Sequence, residues 1–290
     1  MSRLALYIFM FFAMIAWGET WISAKILSSY LSSNELIFWR FIITSIALVP
    51  IIIATKSTFK ISLYNIVIVA ISSIFLSLYN WAFFVGTKYG LASFGGVLVT
   101  TLNPIVTFLL IAILSSKKLS KLESISLILG AIGAMVMLEV WRFGSSLIFS
   151  KGNIYYLLAS FLWPFLTLIS SKQQKINAVV FSFYLFLFTS FITLVSIKFQ
   201  ISNILEFDTK FWLNILLISL FGTTFATTIY FFCVTKLGSK IASSFFFLVP
   251  TSATIFAIIF LGEKVSLSLA IGGLLTVASV YLITFKGAKN

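Results

Sequence analysis

Ten apolar stretches begin near Leu4, Leu36, Leu63, Leu91, Ser124, Ile154, Val179, Phe211, Ile241 and Ser266. Each is long enough, at about 20 residues, to cross the hydrocarbon core of a bilayer. Backbone N–H and C=O groups find no water there, so a chain built this way must close its hydrogen bonds within helices. The connections are short and carry Lys, Ser or Gly; the longest runs from about Lys198 to Lys210, and no soluble domain fits in it. With 60% hydrophobic and 9% charged residues, the composition lies far outside that of soluble domains. The stretch at Leu4 is not read as a secretory leader, because no small-residue cleavage site follows it and nine further spans do. The expected fold is an all-α integral membrane protein with ten transmembrane helices.

The chain also repeats itself. Trp17 and Trp163 stand 146 positions apart, as do Pro104 with Pro250 and Ser120 with Ser266, while Lys88, Tyr89 and Gly90 are echoed by Lys236, Leu237 and Gly238 two residues out of step. Each copy, 1–145 and 146–290, holds five spans. A unit with an odd number of spans ends on the side opposite its start, so the second copy is inserted upside down. Inverted five-helix repeats of this kind are a feature of secondary transporters.

A net charge of +13 would suggest nucleic acid in a soluble protein. Here the basic residues punctuate span ends, where they set orientation, and no nucleic-acid partner is expected. Arg3, Lys56, Lys60, Lys117, Lys118, Lys121, Lys172, Lys175, Lys236, Lys240, Lys286 and Lys289 fall at the termini and even-numbered connections, twelve of the 20 Lys and Arg residues. That bias puts both termini in the cytoplasm. Cys233 is the single cysteine and histidine is absent, which excludes an intramolecular disulfide and an imidazole relay and disfavours a metal site. No cofactor is expected. ATP hydrolysis lacks its Gly-rich phosphate loop, and an intramembrane enzyme would need more than seven acidic residues placed mostly near span ends.

Few ionisable groups lie inside the spans, where each costs about 2.5 to 3.5 kcal/mol at the bilayer centre on insertion scales. Glu19 lies about three quarters of the way across the first span and Arg40 in the first turn of the returning second, so both approach the same side. They are expected either to form an ion pair or to serve function, Glu19 as a site for an ammonium group or a coupling proton and Arg40 through its planar, permanently charged fork. Arg142 is read as an interfacial anchor. Ser73, Ser77, Asn80 and Thr87 share a face of the third span, Gly96, Thr100, Asn103 and Thr107 one of the fourth, and Ser219, Thr223, Thr227 and Tyr230 one of the eighth. Such stripes either pack helices closely or line a polar pathway. Asn80 and Asn103 separate these readings, because an amide with two donors and an acceptor is poor filler for a seam. Trp17, Trp81 and Trp163 are candidate pathway aromatics, and Pro104 and Pro250 candidate hinges. Trp17 and Glu19 are about 200° apart around a helix, so a regular helix cannot point both into one cavity. At the 146 spacing Glu19 meets Phe165, Arg40 Phe186, Asn80 Ala226 and Asn103 Val249. The polar groups therefore belong to the first copy, which suits an amphipathic solute better than a sugar or an inorganic ion.

Trp17 with Gly18, Arg40 with Phe41, and the Leu261, Gly262, Glu263, Lys264 turn resemble, in order, spacing and duplication, the EamA type of the drug/metabolite transporter superfamily. The resemblance covers nearly the whole chain. Lys117 stands where the family's turn has glutamate, and Pro164 follows Trp163 where Gly18 follows Trp17, so the two halves need not work identically. The resemblance implies alternating access by two five-helix units about a midplane site formed by spans 1, 3, 4, 6, 8 and 9. It further implies export of small metabolites such as amino acids across a bacterial inner membrane. The run Gly95 to Pro104 is similar to the fourth-helix region of aromatic amino-acid exporters. Expected partners are a small-molecule substrate and the lipid bilayer; the oligomeric state stays open, a monomer being sufficient. A passive channel or a membrane accessory subunit is the alternative.

Overall fold

The structure is a computed structural model describing residues 2–116, 118–141, 150–261 and 267–286, and all secondary structure in them is helical. Helices α1 (Arg3–Leu27), α2 (Ser33–Ala54), α3 (Leu63–Tyr89), α4 (Ala92–Ser115) and α5 (Lys121–Met137) form the first repeat. Helices α6 (Lys151–Ser170), α7 (Ala178–Ser196), α8 (Thr209–Leu237), α9 and α10 (Leu267–Tyr281) form the second. Helix α9 comes in pieces: Ser239–Ser244, a 3₁₀ turn at Phe245–Leu248, then Val249–Leu261. Lys117, Arg142, the turn from Gly262 to Ser266, and Lys289 lie outside the described residues, so the readings placed on them do too.

Local chemistry sets the helix ends. Ser2, Ser32, Ser62 and Ser120 accept from backbone N–H groups in the first turns of α1, α2, α3 and α5, and Ser32 with Glu35 and Ser120 with Glu123 close full capping boxes. Asn177 and Asp208 cap α7 and α8 in the same way. The turn from α8 to α9 runs through Gly238 at φ +84°, a conformation that favours glycine.

Eight of the helices are long and apolar enough to cross a membrane among the described residues. Of the other two, α5 is described over 17 residues and α9 is broken by its 3₁₀ turn. Residues such as Phe9, Phe12, Ile46, Ile113, Phe191 and Leu274 hold large apolar side chains on the outside, as a lipid-facing surface requires.

The repeat is inverted in the way its parity predicts. Tyr7 Oη donates to the Thr284 carbonyl at 3.2 Å, setting the start of α1 beside the end of α10. On the same face, Asn65 Nδ2 donates to the Gln174 carbonyl at 2.7 Å and Tyr64 Oη to the Lys172 carbonyl at 3.1 Å. Helix α1 ends at the other face, and α6 begins there, with the backbones of Gly152 and Gly90 in contact where a β-carbon on Gly152 would collide. Packing follows the same exchange: α1 lies on α8 and α9 as α6 lies on α3 and α4, while α2 pairs with α7 and α5 with α10.

The two candidate hinge prolines differ. Pro104 is inside α4, where its missing N–H frees the Thr100 carbonyl. Pro250 is second in the last piece of α9, just after the 3₁₀ turn, so the helix is already reset when it arrives.

Candidate functional site

The helices that cross between repeats enclose a small cavity at the centre of the bundle. Trp17, Arg40, Asn80, Thr100, Trp163 and Thr227 line it, together with Trp21, Tyr79, Phe83 and Phe246. Its volume is about 30 Å³, room for about two water molecules. At that volume the space is smaller than a metabolite.

Helix α8 reaches the cavity as a π-helix over Leu217–Thr227. Within it three threonine hydroxyls turn back to carbonyls five residues earlier: Thr223 Oγ1 donates to the Ile218 carbonyl, Thr224 Oγ1 to Ser219 and Thr227 Oγ1 to Gly222, at 2.8, 2.9 and 2.9 Å. Segments of this kind often mark functional positions. Gly222 allows the close approach of Thr20 on α1. Its carbonyl also accepts from Trp17 Nε1 at 2.9 Å, which fixes the indole against α8.

Arg40 is 7% exposed and supplies the formal charge in the cavity wall. Its Nε donates to Thr223 Oγ1 at 2.7 Å and one Nη to Asn80 Oδ1 at 2.9 Å. Asn80 is turned for this by its own Nδ2, which donates to the Leu76 carbonyl at 2.9 Å. A guanidinium has five N–H donors, so three remain beyond those two bonds. The expected ion pair with Glu19 is not formed: the Glu19 carboxyl pairs with Ser23 on its own helix, because it leaves α1 on the side away from the cavity. The distance around the helix that separates Trp17 from Glu19 is thus kept, with Trp17 inside.

The rest of the wall is largely aromatic. Trp17 and Trp163, the pair that opened the repeat, meet edge to face with centroids 5.3 Å apart. Tyr79 packs on Trp163 at 4.6 Å and Phe246 on Trp17 at 4.8 Å. Tyr230 supports both tryptophans from behind, 5.2 and 5.6 Å away, with its hydroxyl 2.7 Å from Thr167 Oγ1. The site therefore offers one cation among several aromatic rings.

Other candidates stay out of the cavity. Trp81 is one residue, about 100°, beyond Asn80 on the helix and turns to α6, where it meets Tyr155 at 5.3 Å. Asn103 is wholly buried and donates back to the Val99 carbonyl at 2.9 Å, leaving its Oδ1 without a partner in the α4 wall. Ser73 bonds Val69 and Leu185 carbonyls at 2.8 and 3.1 Å and so belongs to the α3–α7 seam. Conversely, the polar stripes do not single out Trp21, Tyr79 or Phe246. Trp21 carries a usable signal, its i+4 relation to Trp17. Phe246 carries none, because a 3₁₀ turn rather than helical periodicity aims it inward.

One face of the bundle is latched. Lys25 at the end of α1 donates to the carbonyls of Thr87, Lys88 and Gly90 at 2.7, 3.2 and 2.9 Å, placing its charge on the orphan groups at the end of α3. Tyr156 of α6 lies against Gly86, Gly90 and Gly95 and donates to the Leu91 carbonyl at 3.1 Å. Where the repeat would put the mate of this latch, between the α6–α7 connection and the end of α8, there is instead a cleft of about 600 Å³ lined by Gln173, Lys175, Thr235 and Lys236.

Comparison with known proteins agrees with this architecture. A solved crystal structure of another protein superposes with a TM-score of 0.75 at 18% identity, over 99% of this chain and 99% of that one, which speaks to the fold. An uncharacterized transporter of Archaeoglobus fulgidus is 27% identical over 277 residues, 94% of this chain and 95% of that protein. The model of the EamA-like transporter family matches twice, at residues 4–139 and 150–285, one match per five-helix unit. The chain is thus a multi-pass membrane transporter of the EamA-like family, within the drug/metabolite transporter superfamily.

Proposed function

We propose that the protein is a secondary transporter that exports small amphipathic metabolites bearing a carboxylate, amino acids foremost, by alternating access. The observation that carries this reading is Arg40. It is buried in the cavity wall with no carboxylate at ion-pair distance among the described residues, and it shares that wall with a set of aromatic rings. A buried cation without a counter-ion is costly in a bilayer, and a bidentate carboxylate is the anion that a guanidinium fork fits. The rings accommodate an apolar side chain.

The small volume of the cavity together with a latch on one face supports two alternating states over a passive channel, which would need a continuous pore. The bias of basic residues supports both termini in the cytoplasm, and the latched face is then the non-cytoplasmic one; a bacterial inner membrane is what the family resemblance implies. The site is complete within one chain, so a monomer suffices. Purified protein in liposomes, offered labelled solute against a panel of unlabelled amino acids, nucleosides and amines, tests the reading. Saturable exchange competed by carboxylate-bearing solutes is expected. Competition by amines or nucleosides alone would overturn the role of Arg40, and unsaturable flux would favour a channel.

A further inference from the structure

Ser23 of α1 stands between two oxygen atoms and has one proton to give. Its Oγ is hydrogen-bonded with Glu19 Oε1 and lies 2.9 Å from Asn214 Oδ1 on α8. The Asn214 amide is oriented independently, because its Nδ2 donates to the Lys210 carbonyl at 2.7 Å; turned over, it would set two acceptors against each other. A serine hydroxyl donates once. Were Glu19 a carboxylate, one of the two O···O contacts at Ser23 would contain no hydrogen. A carboxylic acid removes the conflict: Glu19 donates to Ser23, Ser23 to Asn214, and Asn214 to the Lys210 carbonyl, every link having one donor and one acceptor.

Two further observations point the same way. Glu19 Oε2 is buried without a hydrogen-bond partner among the described residues, a position that the carbonyl oxygen of a neutral acid occupies at less cost than half of a carboxylate charge. No cation lies at ion-pair distance from Glu19 among the described residues. From the elements packed on α1, the charged groups toward Glu19 are Lys210 of α8, which lines the same cleft, and Arg40 of α2 across the helix in the central cavity. Tyr79 of α3 also lies on the cavity side. Helix α4 has no ionisable residue, and Lys240 of α9 is held by Glu123.

We propose that Glu19 is a proton-binding site, neutral in this conformation, whose occupancy reports the state of the α1–α8 seam. The seam is fastened twice, by Trp17 to Gly222 on the cavity side and by Ser23 to Asn214 on the outer side. Motion that opens the cavity between α1 and α8 parts both; Ser23, freed from Asn214, then turns its own proton to Glu19, and a carboxylate is accommodated where the acid was. The cleft containing Glu19 is a mostly apolar groove that includes the lipid-facing Phe12 and reaches Lys210 in the first turn of α8, surroundings that favour a neutral acid over a carboxylate. Binding forms the carboxyl O–H bond and release returns the same proton to water. Coupling of this proton to solute movement rests on the transport reading above; the proton site itself does not.

Infrared spectroscopy of the full chain in liposomes at neutral pH tests the site. Glu19→Gln is the reference, since its amide can donate to Ser23 in place of the acid. A protonated-carboxyl C=O band present in the wild type and absent from Glu19→Gln is expected, with a shift of that band in Ser23→Ala. Identical spectra for wild type and Glu19→Gln would overturn the proposal. A second arm measures solute exchange with and without a pH gradient. Dependence on the gradient in the wild type that is lost in Glu19→Gln supports coupling, and wild-type exchange indifferent to the gradient overturns it. If the infrared band is present but no solute moves, the transport reading fails while the proton site stands.

Discussion

Arg40 is the residue at which stability and function pull apart. It sits in a low-dielectric wall without an acid, yet Asn80 and Thr223 are both turned to meet it. Removing the charge relieves desolvation, while Asn80 Oδ1 then lacks its donor, a loss of about 1 to 3 kcal/mol. The opposed effects make Arg40→Met nearly neutral for folding, with a melting temperature in detergent within a few degrees of wild type. Transport responds differently. A hydrogen bond to a charged group contributes about 1.5 to 3 kcal/mol, and 1.4 kcal/mol is a factor of ten, so Arg40→Met raises the half-saturation concentration for a carboxylate solute roughly 10- to 100-fold. Arg40→Lys keeps the charge but not the fork, and recovers only part of that loss. A collapse of melting temperature in Arg40→Met, with normal transport by the folded remainder, would make the residue structural. The sequence singles out Arg40 by its burial in an apolar span. It does not show the partners, because those sit 40 and 183 positions away and are chosen by packing.

At the scale of elements, the bundle depends on close backbone crossings and on capped helix starts. Gly152 of α6 lies against the backbone of Tyr89 and Gly90 at the end of α3, a contact between repeats that no side chain can yield to. Gly152→Val should therefore destabilise the protein by about 1 to 3 kcal/mol through overpacking, read as loss of monodisperse protein after purification. Gly238→Ala should act through the positive φ instead. The start of α8 carries a pH-dependent tie. Asp208 accepts from the Phe211 N–H at 2.9 Å and from Tyr30 Oη at 2.9 and 3.0 Å, and these bonds, the Phe211 one foremost, hold its carboxyl below the usual 3.8. A depressed pKa in the folded state means that the contribution is intact above the ordinary value and disappears as pH falls through the lowered one. Melting curves from pH 6 downward should show the wild type losing stability in that acid window, and Asp208→Asn, which keeps a capping oxygen without the charge, should lack that component. The spans were legible from apolar runs and the basic residues between them, while the capping that fixes their ends emerges from the structure. The π-helix of α8 and the 3₁₀ turn of α9 were not legible, because no local period encodes them; the first packs on α1 and α2 and the second on α1, α4 and α10.

For the whole molecule, the 146-residue echo made the ten-helix inverted architecture readable, since parity and spacing are properties of the chain and need no coordinates. Which side chains reach the centre was less readable. Trp17, Asn80 and Thr227 arrive there, whereas Trp81 and Asn103, equally polar or aromatic on paper, face α6 and the α4 wall. Symmetry also shows where the two faces differ. Lys25 fastens α1 to the end of α3, but its mate 146 positions on is Ser171, whose hydroxyl turns back to the Leu168 carbonyl at 2.6 Å. The corresponding end of α8 therefore has no lysine latch, and beside the cleft there the Gln173 amide is buried without a partner. Exchanging the latch should exchange the preferred state. Lys25→Met frees the carbonyls of Thr87 and Gly90, and Ser171→Lys offers an ammonium to those of Thr235 and Gly238 once α6 and α8 close. In Cys233→Ala protein, single cysteines at Phe94 on the latched face and at Thr235 beside the cleft can be labelled with a membrane-impermeant maleimide from either side. Lys25→Met should speed labelling at Phe94 and Ser171→Lys should slow it at Thr235, each by about tenfold if a latch bond contributes about 1.5 kcal/mol. The double variant should show both changes at once. Unchanged labelling at both positions in the double variant would mean that Lys25 only caps α3, and that the two repeats choose their state elsewhere in the bundle.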